Sequence, residues 1–476
     1  MTVFRILRID LSREQFTEEI IKEDLLKRFL GGRGLGAYMA LKEIPRGIDP
    51  LSPSNRLYIF SGPLSGIATI SSSRVNVTTR SPLTGVYTHA NAGGNFSYWL
   101  RKSGYDGLII EGKAEEPVYL VIKDGEAMLK PAKHIWGGKW TGGASTKIIL
   151  EENGFPPDET KAGVAVIGPA GENLVKFAGI RMSDYERFAG RGGGVGAVMG
   201  SKLLKGILVW GTRDLSKELI DKARFMKVNT DIVKRIATHD TTKVLHKYGT
   251  NVLMNIVQSI GALPHYNFGG TGKLKDVTPV SEEYIKDHYP TETHGCYNCP
   301  IACTQMPTVK SGPFKFTVTE KYVKQEYENT WALGPNIGLT DPEADMKFQK
   351  LANELGLDTI TLGNTLSMAV ELAKNGKLNL DIDWGGDAGS LEYLIHKIAY
   401  RDGIGDDLAE GDYRLAVKYG MPQLFTGSRG GRDYLPTTQG HSRGGSHWPT
   451  TRPIGGVVTT WRPTRNMGNI RCSRKG

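Results

Sequence analysis

The sequence predicts an α+β protein: a β-rich N-terminal unit followed by a mostly α-helical one. Three observations carry this expectation. The chain has 476 residues, more than one core usually organises. Its hydrophobic pattern changes near residue 210 from short β-branched or aliphatic runs to helical spacing. Glycine, at 60 of 476 residues, exceeds its usual share, which points to tight turns and close approaches of backbone to ligand.

Residues 1–210 read as strand-rich. The opening Met1-Thr2-Val3-Phe4-Arg5-Ile6-Leu7-Arg8-Ile9-Asp10 alternates like a strand. Arg56 to Ser61, Arg74 to Thr79, Leu108 to Glu111 and Leu203 to Trp210 are short apolar runs closed by Gly or Pro. Val118 to Leu129 reads as a hairpin turning at Asp124-Gly125. Helical pieces are expected at Glu18 to Leu30 and Thr146 to Asn153. Residues 211–426 are expected to be helical, because Lys217 to Ile236, Pro342 to Leu355, Thr361 to Asn375 and Ser390 to Tyr400 place apolar residues at i, i+3, i+4. No internal repeat is evident before residue 427.

Residues 427–476 differ from the rest. They hold eight Arg and one Lys against one acid, Asp433, so they carry +8 of the formal +10 and leave the other 426 residues at +2. The body of the chain is nearly neutral, so no nucleic-acid partner is expected despite the basic balance. No run of 18 apolar residues occurs, so no membrane helix is expected. The N-terminus lacks a secretory h-region, and a cytoplasmic protein is expected.

Cys296-Tyr297-Asn298-Cys299-Pro300-Ile301-Ala302-Cys303 is the most specific local signal. A C-x2-C-x3-C run can turn three thiolates toward one centre, as iron–sulfur proteins do. Zinc is the rival, but no nearby His completes a tetrahedron at finger spacing; three inert buried cysteines are the bland alternative. The remaining cysteine is Cys472, inside the tail. Gly31 to Gly36, Asn91 to Asn95, Gly168 to Asn173 and Gly190 to Gly196 are glycine-rich segments that could turn backbone N–H groups toward phosphate. Neither Gly31 to Gly36 nor Gly190 to Gly196 follows a strand within a clear Rossmann βαβ unit.

Taken together, these residues resemble the tungsten-containing aldehyde ferredoxin oxidoreductases. The resemblance runs through Gly31 to Gly36, Asp49 to Pro53, Ser61 to Gly66, Ser81 to Gly85, Asn91 to Gly94, Gly104 to Gly107, Gly168 to Asn173, Gly190 to Gly200, Cys296 to Cys303 and Gly356 to Ile360. It implies a tungsten, or in its place molybdenum, held by the dithiolenes of two pterins (a bis-pterin centre), with a four-iron four-sulfur (4Fe-4S) cluster on Cys296, Cys299 and Cys303. Arg74, Asn91, Gly93, Gly94, Arg191 and Gly192 would hold pterin phosphates and a magnesium ion, Mg, between them. Gly356, Leu357 and Asp358 would hold the second pterin, although the family begins that motif with Asp where this chain has Asn353. Glu328, with Glu326 as the alternative, would be the carboxyl beside the metal. The implied activity is oxidation of an aldehyde to the carboxylate with ferredoxin as electron acceptor, in a homodimer. The alternatives are a relative with another substrate or acceptor, and an inactive truncated member.

The family's C-terminal domain is expected to be largely missing. Codons for Tyr434 to Gly440 can be chosen so that the frame one base earlier reads Leu-Pro-Ala-Tyr-Asp-Pro-Arg, as the family would continue. A frameshift near residue 426 is therefore expected, which would make residues 427–476 a non-native basic tail and Cys472 an accident.

Overall fold

The computed structural model describes residues 4–67, 69–157, 161–182, 187–191, 193–270, 273–315 and 325–425. The basic tail, Cys472 and Gly192 lie outside the described residues.

Two six-stranded sheets organise the first half. The first contains β1 (Phe4–Asp10), β2 (Gln15–Ile21), β3 (Leu57–Ser61), β4 (Val75–Arg80), β5 (Tyr87–Ala92) and β6 (Gly107–Glu111), in the order β2-β1-β6-β3-β4-β5. The second contains β7 (Val118–Lys123), β8 (Glu126–Pro131), β9 (Gly163–Val166), β10 (Ile180–Met182), β11 (Phe188–Ala189) and β12 (Leu204–Trp210), in the order β8-β7-β12-β9-β10-β11. The two orders are the same with every strand advanced by six. Each sheet has one parallel pair at the matching place, β1 with β6 and β7 with β12. The sequence shows no such repeat, because topology can recur without residue identity; the expectation of no internal repeat is corrected at this level.

Strand alternation explains why the sheets face each other. Leu57 and Ile59 of β3 and Leu120 and Ile122 of β7 enter one shared core together with Leu7, Ile9, Val77, Ile207 and Val209. The intervening Tyr58 and Phe60 point the other way, onto Leu35 and Met39 of the Gly32–Glu43 helix. Tyr119 and Val121 likewise meet Ile149 and Leu150 of the Gly142–Glu151 helix. This period-two pattern buries both faces of the inner strands, while the edge strands β2 and β8 stay largely exposed; each buried aliphatic or aromatic side chain is worth about 1.5–3 kcal/mol relative to exposure.

Helices dominate beyond residue 211. Pro342–Leu355, Thr359–Lys374 and Ala388–Tyr400 share a core that also takes in Val175, Phe177 and Ala178 of the β-rich unit. The Tyr327–Leu333 helix crosses Thr359–Lys374 so closely that a Cβ on Gly363 would lie 2.1 Å from the Ala332 carbonyl oxygen. A short antiparallel hairpin of β13 (Thr291–His294) and β14 (Thr304–Pro307) carries the cysteine loop. Among the described residues no helix is long and apolar enough to cross a membrane.

One predicted helix is partly wrong. Residues 18–21 belong to β2, and the helix begins only at Glu23. Glu14, at φ 51°, turns the chain back onto β1, and seven residue pairs from Phe4↔Ile21 to Asp10↔Gln15 form a ladder. Pairing an otherwise open sheet edge outweighs a weak helical preference.

Candidate functional site

The cysteine loop is the hairpin connection from Gly295 to Cys303. Its first turn closes where the Cys299 N–H donates to the Cys296 carbonyl at 3.0 Å. Asn298 and Ala302 hold left-handed φ values of 53° and 45°. Gly295 admits no side chain, because a Cβ there would lie 2.7 Å from the Cys299 carbonyl oxygen.

This loop is seated on the β-rich unit. The Tyr297 N–H donates to the Gly94 carbonyl at 3.2 Å, and the Ser71 N–H to the Asn298 carbonyl at 3.1 Å. The Asn298 amide donates to the Thr69 carbonyl at 3.2 Å. Ser71 Oγ lies 3.2 Å from Cys299 Sγ. The Tyr297 and Tyr98 rings stack with centroids 3.9 Å apart. Gly93 also lies against the loop: a Cβ there would be 2.5 Å from Cys296 Sγ. From the helical unit, His246 Nδ1 lies 3.0 Å from the Ile301 carbonyl oxygen.

Burial pushes the Cys303 thiol up, and the negative charge of Glu326 and the nearby thiols of Cys296 and Cys299 add to this, while Arg187 opposes it. The three thiols, Glu326 and Arg187 therefore share one electrostatic neighbourhood. Among the described residues no three His, Cys, Asp or Glu side chains converge as ligands of a single ion would.

Glu326 and Glu328 arrive next to the cysteines through a backbone bond, the Gln325 N–H donating to the Gln305 carbonyl of β14 at 3.0 Å. The Glu326 carbonyl then accepts from Asn329 and Thr330 at the start of the Tyr327–Leu333 helix. In the first turn, Glu328 Oε2 accepts from Trp331 Nε1 at 3.0 Å, and Oε1 lies 3.7 Å from the Arg191 guanidinium. Burial raises the Glu328 carboxyl above the usual range; Arg191 and Trp331 pull it back, while Glu326 and Asp358 push it further up.

Asp358 lies between the units. Gly356, at φ 85°, ends the Pro342–Leu355 helix, and its carbonyl accepts from the Gly179 N–H at 2.9 Å. Leu357 bridges to Ala178, and the Asp358 N–H donates to the Phe177 carbonyl at 3.1 Å. The Asp358 carboxylate caps the next helix, accepting from Thr361 N at 3.2 Å and Thr361 Oγ1 at 2.6 Å. N-cap duty alone is a sufficient reason for an aspartate here. Gly190 abuts it, since a Cβ there would lie 3.1 Å from Asp358 Oδ1.

The structure thus brings Gly93, Gly94, Arg191, Cys296, Cys299, Cys303, Glu326, Glu328 and Asp358 into one connected region. Asn91 is exposed on β5 and accepts from the Asn76 amide at 3.0 Å, one strand end away from Gly93. Arg74 is exposed at the residue before β4 and is not drawn into these contacts. Asn353 is buried in the helix preceding Gly356.

Sequence reasoning missed Arg187. It is 4% exposed, yet its Nε and Nη2 lack a hydrogen-bond acceptor. A buried guanidinium with unused donors, close enough to Cys303 to act on its thiol, suits an anionic, sulfur-rich group. No spacing or composition signal marks this residue. The unused donors, the cation Arg191 and the side-chain-free approach at Gly93 together make the region fit for the implied cluster and pterin group.

Family models described as the N-terminal domain and as domains 2 and 3 of aldehyde ferredoxin oxidoreductase match residues 6–211 and 227–440. The expectation that the C-terminal domain is largely missing is not supported: the second match runs on to residue 440, past residue 426, so the change in composition there does not mark the end of family sequence. The chain is 44% identical to the tungsten-containing aldehyde ferredoxin oxidoreductase of Pyrococcus furiosus over 88% of its own length and 68% of the relative's. It is 41% identical to the protein of the same name from Thermococcus kodakarensis, with the same coverage. Among solved structures it resembles the active-site complex BamBC of benzoyl coenzyme A reductase with 1,5-dienoyl-CoA, with a TM-score of 0.75 at 27% identity; that match covers 88% of this chain and 64% of the other.

Proposed function

This chain belongs to the aldehyde ferredoxin oxidoreductase family, and we propose on that footing that it oxidises an aldehyde to the carboxylate and passes the electrons to ferredoxin. The balance is one aldehyde and one water giving one carboxylate, three protons and two electrons. A tungsten bis-pterin centre would, when bound, supply the two-electron redox chemistry that no side chain can, and a 4Fe-4S cluster would let the electrons leave singly.

The chain's own residues would do the rest. Cys296, Cys299 and Cys303 would ligate the cluster, with Ser71 donating toward the Cys299 sulfur. Gly93 and Gly94 keep that loop tight against the β-rich unit, which would bring a cluster held by the loop close to that unit. Arg187 and Arg191 would meet the pterin's negative charge. Asp358 fixes the start of its helix and the Gly356 turn in place. Magnesium between pterin phosphates and a homodimeric assembly complete the reading.

Glu328 is the proposed proton-handling carboxyl. Burial raises it above the usual carboxylate range, which favours its taking up a released proton. Arg191 and Trp331 hold its two oxygens in separate directions. Glu326 instead adds negative charge beside the cysteines.

One observation carries the reading: the cysteine loop is seated on Gly93 and Gly94 and joined through Gln325 to the Glu326–Glu328 segment. The test is a panel of aldehydes assayed anaerobically with benzyl viologen as acceptor. Aldehyde-dependent viologen reduction with carboxylate formed in equal amount to two-electron reduction supports it; turnover of none of the panel by metal-loaded protein contradicts it.

A further inference from the structure

The near-neutral charge of the body conceals one strongly basic element pair. The helices Lys222–Thr238 and Asp240–Tyr248 carry Lys222, Arg224, Lys227, Lys234, Arg235, Lys243 and Lys247 against Asp231 and Asp240. Those seven cations are all exposed. Arg235 and Lys243 pair with the two acids of the same helices, which leaves an excess of positive charge. Neither helix contains a buried residue. Met226, Val228, Ile232 and Val244 are 44%, 52%, 39% and 41% exposed among those cations.

This surface borders the cysteine loop on two sides. Asn229 Oδ1, on the Lys222–Thr238 helix, accepts from the Ile70 N–H at 3.3 Å. The adjoining Thr69 and Ser71 are the residues that hold Asn298 and Cys299. On the other side, His246 of the Asp240–Tyr248 helix lies against Ile301. The loop itself is open between them, with Tyr297 37% exposed.

We propose that this helix pair is the docking surface for the electron acceptor, a small acidic one-electron carrier protein whose own redox centre is brought against the Cys296–Cys303 loop. The inference rests on the proposed function and names the partner's charge and place of contact. Charge complementarity selects the occupant: the exposed lysines and arginines of the two helices that border the loop draw in an acidic protein and orient it, and the interspersed apolar side chains give the contact its dry patches. Two single-electron transfers, each to one docked carrier, carry away the pair released per aldehyde.

The probe is an acidic bacterial-type ferredoxin, and binding is measured by calorimetry at low and high salt on wild type, on the double variant Lys227→Glu/Lys234→Glu, and on a control, Lys139→Glu/Lys147→Glu, that reverses two exposed lysines of the β-rich unit. The expected result is salt-sensitive binding that the first variant weakens about tenfold or more and the control leaves close to wild type. Viologen-linked aldehyde oxidation stays unchanged in both variants while ferredoxin-linked KM rises in the first alone. Equal effects of the two variants, no ferredoxin binding by wild type, or capture of single-stranded DNA in its place would overturn the proposal. Absence of viologen-linked activity throughout would count against the proposed function only, because the binding comparison reads the surface independently.

Discussion

At Gly93 a single hydrogen atom leaves room for Cys296 Sγ, since a Cβ would come within 2.5 Å of it. Gly93→Ala is expected to push the cysteine loop off the β-rich unit and lower the iron bound per chain while far-UV circular dichroism stays the same; unchanged iron would show that the contact is dispensable. Glu328→Gln removes the proposed proton acceptor without changing shape, so kcat for aldehyde oxidation is expected to fall by about 10²–10⁴-fold with metal content retained. The sign of the pH effect follows from the raised carboxyl. The active form of a proton acceptor is the deprotonated one, so wild-type kcat should decline as pH falls, beginning above the range of an ordinary glutamate, and Glu328→Gln should lose that limb. Glu326→Gln should keep the limb but move it to lower pH, because Glu326 helps to raise Glu328. At this scale the cysteines were legible because their spacing is rare, and Glu328 only through family resemblance. Arg187 was not legible at all, because what singles it out is burial without an acceptor, a property of the folded state.

The helix Glu282–His288, capped by Ser281, carries a carboxyl with a role in stability rather than catalysis. Glu282 is fully buried, and burial pushes it from the usual 4.5 up to about 8, with Asn251 its neighbouring amide pulling it back. The folded value lies above the unfolded one, so the native state holds an extra proton between those two pH values and stability falls as pH rises through that window. Glu282→Gln should flatten this slope in urea denaturation measured at several pH values; an unchanged slope would place the titration elsewhere. Elements with strong local signals were read close to their true bounds. Pro342 to Leu355 has Asp341 as cap, Pro at its first position and Gly356 at its end. Residues 18–21 were misread because the ladder with β1, not local spacing, decides their conformation.

At the scale of the molecule, the division into a β-rich half and a helical half was visible in the periodicity, whereas the recurrence of one six-strand topology in both sheets was not. Short strands with both faces buried carry little more than apolar runs, and such runs do not record pairing order. The cysteine loop comes from the helical half but sits on Gly94, Ser71 and Thr69 of the other, so the region proposed for the cofactors exists only when both halves are folded against each other. The most direct test is elemental analysis of anaerobically purified protein for tungsten, molybdenum and iron, together with its visible spectrum. Tungsten with about four iron per chain and broad cluster absorption is the predicted result; a folded protein that binds neither tungsten, molybdenum nor iron would contradict it.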